Sequence, residues 1–259
     1  EILDSVSFVN QTVNLALGRI CDGCDGWGYF ETSTPGSPNI GKIYDGIIFY
    51  EPYFYPLGNI FTSAQTVTLK NLFDGVIRYT LDGSIPTEAS TLYTGPIQIT
   101  KHTVVRARIF NGNKRPGPVI TNSYFINDNN SIGSLPVVSI SSNPENFWDP
   151  VKGIYVQTFK PEWEVPINIE LFENNGSNRA GFNMQAGTKV NGLYSWQLPQ
   201  KMLGIYFRKE YGSGTLEYPL FFDRKVRKLD SFALRASGND WANTLFRDGM
   251  IQNSTILNM

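Results

Sequence analysis

The chain has 259 residues, 41% of them hydrophobic and 14% aromatic, which excludes a disordered or low-complexity polymer and predicts packed domains. That length exceeds what one small core needs, so two or three domains are expected. A formal charge of −1 gives no global field for nucleic acid or acidic lipid. No apolar run approaches the roughly 18–20 residues of a membrane-spanning helix.

Glu1-Ile2-Leu3-Asp4-Ser5 lacks the basic start and apolar run of a signal peptide. Ser5-Val6-Ser7-Phe8-Val9 alternates like a strand. The only cysteines follow, in Cys21-Asp22-Gly23-Cys24. Such a pair can be half a zinc site, a redox motif or a local disulfide. Zinc needs further ligands, and His102, the single histidine, belongs to a later segment. The neighbouring Asp-Gly pairs put both cysteines in a loop, and the three readings stay open. The order "DSVSF…Q…LGR…DG…WGYFETSTPGSPN" resembles the closing strands of a lamin-tail domain, an immunoglobulin-like sandwich. A hairpin followed by a Pro/Gly linker is the plainer reading.

Beyond Pro35–Pro38, the stretch from Ile47 to Pro56 is aromatic and punctuated by proline. Such rings can stack on sugars or pack between domains. Val76-Ile77-Arg78-Tyr79-Thr80-Leu81 then reads as a strand. Asp82-Gly83 ends it in a tight turn, and Pro86 closes the unit. Val67, Leu69, Ile77, Leu81, Ile97, Ile99, Val105, Ala107 and Ile109 fit the inward set of a two-sheet sandwich. Tyr79, Tyr93 and Phe110 suit either core or edge. The series "IRYTLDGSIPT…STLYTGPIQIT…TVVRARIF" resembles the β-sandwich at the C-terminus of chitobiases and β-hexosaminidases, over about Tyr50 to Ile126. The resemblance implies an accessory module. It has no line of exposed tryptophans, so a spacer is favoured over a sugar binder, and His102 reads as a surface turn residue.

Asn127-Asp128-Asn129-Asn130-Ser131 is a second linker. Strands are expected at Leu135–Ser141, Gly153–Val156, Pro166–Phe172, Phe182–Val190, Lys201–Arg208 and Phe232–Arg235, with turns at Asn174-Asn175-Gly176 and Arg224–Lys228. A helix is expected from Trp241 to Asn253, capped from Ser237-Gly238-Asn239-Asp240. The order "LPVVSI…GIYV…LPQK…YF…EYG…YPLF…F.LR.SGNDW..TLFRD" resembles the first half of the spore-coat-protein CotH kinase family. Those proteins are secreted or surface atypical kinases that often carry lamin-tail and chitobiase-like sandwiches upstream. The resemblance implies ATP and Mg²⁺ as cofactors and a protein phosphoacceptor as partner. It places the phosphate-contacting lysine at Lys201 and an acidic helix position, able to pair with such a lysine, at Asp248. An edge-strand lysine and an exposed helix pair are the plain alternatives.

The chain departs from the family at Trp196, where an arginine is usual, and the family's catalytic and metal-binding aspartates come later than Met259. The expected fold is therefore mainly β and multidomain: immunoglobulin-like β-sandwich modules followed by the N-terminal part of an α+β atypical-kinase domain. The expected division is residues 1–40, 41–127 and 128–259, an excerpt of a bacterial cell-surface or extracellular protein. The competing expectation is a non-catalytic adhesion or carbohydrate-binding array in contact with cell-wall sugar. Asn-x-Ser/Thr triplets at Asn10, Asn175 and Asn253 are candidate glycan acceptors.

Overall fold

The computed structural model describes residues 5, 15–127, 129–130, 132–156, 160, 162–177, 179–192, 195–197, 199, 201–221 and 225–235. Most of the strand expected at Ser5–Val9, the helix expected at Trp241–Asn253, Asn10, Asn253 and Asp248 lie outside them. The described chain is mainly β.

The first sheet has three antiparallel strands, β1 (Ala16–Arg19), β2 (Trp27–Phe30) and β3 (Ile43–Tyr44). Cys21 and Cys24 are joined as a disulfide in the β1–β2 loop. The loop is fastened by Ile20 N–H donating to Gly26 O at 3.0 Å. Arg19 lies over the Trp27 ring at 5.1 Å.

The next strands are β4 (Tyr53–Tyr55), β5 (Asn59–Phe61), β6 (Gln65–Lys70), β7 (Val76–Thr80), β8 (Thr91–Leu92), β9 (Ile97–Ile99), β10 (Thr103–Phe110) and β11 (Ile120–Ile126). They form two sheets, ordered β4-β6-β9 and β5-β11-β10-β7-β8. The sheets enclose one core of Ile48, Phe54, Val67, Leu69, Ile77, Ile97, Ile99, Val105, Ala107, Ile109, Tyr124 and Ile126. Alternation explains the set: β6 buries Val67 and Leu69 while Thr66 and Lys70 face out. Every expected inward residue is in this core except Leu81, which is 46% exposed because the chain has already entered the Asp82-Gly83 turn. Tyr79 and Tyr93 pack on the core from its margin, and the Tyr93 hydroxyl accepts from Leu69 N–H at 3.0 Å. The aromatic stretch before Pro56 belongs to the sandwich itself: Ile48 and Phe54 are buried, and Phe49, Tyr53 and Tyr55 are exposed.

The remaining elements are β12 (Val137–Ser141), α1 (Pro144–Trp148), β13 (Val165–Phe172), β14 (Phe182–Asn191), β15 (Met202–Tyr206), β16 (Leu216–Glu217), β17 (Lys228–Leu229) and β18 (Ser231–Leu234). β12-β13-β14-β15-β18 form one antiparallel sheet, termed the third sheet with the sandwich counted as one unit, and β16 pairs with β17. A second core gathers Ile154, Val165, Ile167, Ile169, Ala186, Val190, Leu203, Ile205, Phe207 and Leu216. The strand expected at Gly153–Val156 is instead a turn. Its Ile154 and Tyr155 N–H groups donate to Asn146 O and Phe147 O, both at 2.9 Å, so they are satisfied by α1 and not by a neighbouring strand. Ile154 is nevertheless fully buried.

β13 joins the two bodies. Its odd residues Val165, Ile167 and Ile169 point into the second core, Leu171 is buried beside them in sequence, and its even residues Asn168, Glu170 and Phe172 are also buried. Glu170 and Phe172 meet the outer face of β11, where Ser123 and Phe125 are presented. A strand covered on both faces needs a cover on each, and here the second is the sandwich.

Candidate functional site

The seam between sandwich and third sheet is polar at its centre. Glu170, 1% exposed, accepts from Ser123 N–H at 3.2 Å, from the Ser123 hydroxyl, and from Asn183 Nδ2 at 3.2 Å. Ser123 and Ser139 share a hydroxyl contact at 2.7 Å, and Asn183 also donates to Thr121 O at 2.7 Å. Phe125 and Phe172 meet edge to face at 5.6 Å beside this network. Burial pushes the Glu170 carboxyl up to about 7, and the Ser123 donors oppose that rise.

At one end the seam is locked by the Asp82-Gly83 turn. Asp82 Oδ1 accepts from Ser84 N–H at 3.0 Å and from the Ser84 hydroxyl at 2.6 Å, which holds its carboxyl below the usual range. Gly83 sits at φ +86°, and a Cβ there would also lie 2.9 Å from Ser142 O. Arg106, buried under the turn, donates from Nη1 to Gly83 O at 2.7 Å. Ile85 N–H donates to Asn143 Oδ1 at 2.7 Å, tying the turn to the start of α1. The motif that ends β7 thus docks the sandwich on the third sheet.

Between the two bodies an open cleft of about 610 Å³ remains. Its sandwich wall carries Asp82 and His102, and its other wall carries Ser141, Phe147, Trp148 and Tyr155. His102 is an exposed turn residue, as expected, and its Nδ1 accepts from Ile126 N–H at 3.1 Å.

Lys201 immediately precedes β15, whose neighbours are β14 and β18. It is thus beside an inner strand and is not an edge lysine. The residue is 9% exposed, its ammonium donates to Trp196 O and lies 5.6 Å from the centre of the Tyr155 ring. Burial pulls the ammonium below its ordinary value. Tyr155 thus neighbours Lys201 and also lines the cleft. Asp248 lies outside the described residues, so its place beside Lys201 rests on the sequence alone. Among the described residues no group of three or more His, Cys, Asp or Glu side chains is arranged to hold a metal ion. Also among them, no helix is long and apolar enough to cross a membrane.

Glu170, Ser123 and Asn183 were not among the site residues expected from sequence, where Pro166–Phe172 reads only as a strand. Trp148 and Tyr155 were likewise not expected to share a wall.

The sandwich defines a class: a two-sheet β-module built around an Asp-Gly turn. A family model for the chitobiase/β-hexosaminidase C-terminal domain matches residues 56–121, inside this module. No curated protein matches the chain.

Proposed function

We propose that the chain is the scaffold-bearing part of an extracellular or cell-surface CotH-type protein kinase. In this reading the chitobiase-type sandwich is a rigid stand for the first lobe of an α+β atypical-kinase domain beginning near residue 128. The first forty residues close a lamin-tail domain. The observation that carries the proposal is Lys201: a buried lysine at the head of an inner strand, with its ammonium desolvated. Such a lysine is fixed by a rigid element and suits contact with a phosphate. The Cys21–Cys24 disulfide supports an oxidising compartment. ATP, Mg²⁺ and a protein phosphoacceptor belong to the parent polypeptide, whose catalytic aspartates the family places after the position of Met259.

One observation favours a second reading, a kinase-shaped but non-catalytic surface array. The Lys201 ammonium is directed to the carbonyl of Trp196, the residue that stands where the family has an arginine.

Thermal unfolding of the parent protein with and without Mg-ATP separates the two. Ligand that binds the folded state raises the apparent melting temperature. A rise that disappears in Lys201→Ala supports the kinase. No rise in a folded parent overturns it in favour of the array.

A further inference from the structure

The cleft between the sandwich and the third sheet has the chemistry of a ligand site. α1 places Trp148 at its end with 64% of the residue exposed. An exposed tryptophan on a concave wall keeps a large apolar face in water, and binding removes that cost. The rings of Trp148 and Tyr155 are 5.0 Å apart and tilted, and Phe147 lies 5.7 Å from Tyr155. Rings this close pack on one another. They form a wall and leave no box between them, which disfavours a methylammonium cage.

Across the cleft the polar groups are few and defined. Asp82 keeps Oδ1 occupied by Ser84 and has Oδ2 as a further acceptor. His102 accepts at Nδ1, so the neutral ring carries its proton on Nε2, where it is a donor. On the same wall as the rings, Ser141, 6% exposed and part of the lining, has a hydroxyl with no hydrogen-bond partner among the described residues. Among the described lining residues Asp82 is the one carboxylate, and they include no lysine or arginine. The nearby cations are engaged: Arg106 donates to Gly83 O, and Lys201, 5.6 Å from the centre of the Tyr155 ring, donates to Trp196 O. Without a cation among its described lining residues the cleft is poorly matched to a nucleotide or an acidic sugar. An aromatic wall with one hydroxyl beside it, faced by one acceptor and one donor, matches a ring whose C–H face is apolar and whose rim both donates and accepts. The volume, about 610 Å³, falls in the usual range of small-molecule sites.

We propose that this interdomain cleft binds a neutral saccharide, one sugar ring stacking on Trp148 and Tyr155 while Asp82 and His102 bond its hydroxyls. The site is independent of whether the parent is a kinase, because no phosphate or metal enters it.

The test is calorimetric titration of the full chain with cellobiose, maltose and N,N′-diacetylchitobiose, with ADP and choline as charged controls. Binding of at least one disaccharide is expected, weakened tenfold or more in Trp148→Ala and retained in Trp148→Phe, which preserves a ring. Trp148 is mostly exposed, so the variant is expected to fold, and its melting curve checks that. Asp82→Asn should weaken binding several-fold with the same ligand preference. Tyr53 and Tyr55, exposed on β4, offer a rival aromatic surface. Loss of binding in Tyr53→Ala/Tyr55→Ala with no change in Trp148→Ala overturns the assignment. So does the absence of heat with every disaccharide at millimolar concentration, or binding of ADP or choline that Trp148→Ala abolishes.

Discussion

Replacing Glu170 by glutamine tests whether the seam behaves as a buried acid between two bodies. The carboxyl, raised to about 7 by burial, lies above its ordinary value of 4.5. Between those two values the folded chain keeps a proton that the unfolded chain has released. Stability from this group is therefore fully present below about pH 4.5, falls as pH rises toward 7, and levels off above it. At about 1.4 kcal/mol per pH unit the whole span is worth roughly 3 kcal/mol. Asp82 and Asp149, both held below the usual carboxylate range by hydrogen bonds, have the opposite slope in more acidic solution. The difference between wild type and variant cancels them. Glutamine keeps an acceptor for Ser123 N–H and Asn183 Nδ2. Its amide can donate to the Ser123 hydroxyl, which then donates to Ser139. Glu170→Gln should thus cost little at pH 4.5 and exceed wild type by about 1–3 kcal/mol at pH 8.5. Urea unfolding at pH 4.5, 6, 7 and 8.5 measures it. A constant difference between the two proteins across that range would refute a titrating Glu170.

Other consequences follow from the packing. Ile109→Ala and Ile169→Ala each empty a fully buried site, one in each core, and each should cost about 2–5 kcal/mol. If the seam couples the bodies, calorimetry shows both variants lowering one shared transition; separate transitions, each moved by one variant, would show independent bodies. Gly75 has φ +115°, and a Cβ there would lie 2.5 Å from Phe110 O, so Gly75→Ala should destabilise by more than about 1 kcal/mol. Gly95→Ala, which meets open space, should change thermal stability by less than about 1 kcal/mol. Reduction of Cys21–Cys24 opens only a short loop and should cost about 2 kcal/mol or less, with the urea midpoint of the two larger sheets unmoved.

The sandwich was legible because its evidence is local. Alternation in Gln65–Lys70 and Ile97–Ile99 names the buried face, and Asp82-Gly83 marks the end of β7 at the residue where Leu81 leaves the core. The strand assigned to Gly153–Val156 failed for a reason of the same kind. β-branched and aromatic residues signal extended chain, yet these N–H groups are claimed by the carbonyls of the short α1 just before them. Asn143-Pro144-Glu145 did carry a helix start, with proline in the first turn, but five residues are too few to show a period.

The seam was closed to sequence for a deeper reason. Ile167-Asn168-Ile169-Glu170 has the pattern of a strand with one wet face, and although Pro166 on that face is exposed, Glu170 is dry because β11 supplies a second surface. A period-2 pattern records which residues share a side, not what covers that side. Lys201 shows the same limit from the other direction. Its residue type and place in a motif are readable, while the features that decide its chemistry are the inner position of β15, the Trp196 carbonyl and the Tyr155 ring. Tyr155 reaches that position from the misread turn, and its ring also forms the cleft wall beside Trp148. The two proposed sites therefore meet at one side chain. Tyr155→Ala should weaken saccharide binding by removing part of the wall and should also change the environment of the Lys201 ammonium, whereas Trp148→Ala should affect the saccharide alone.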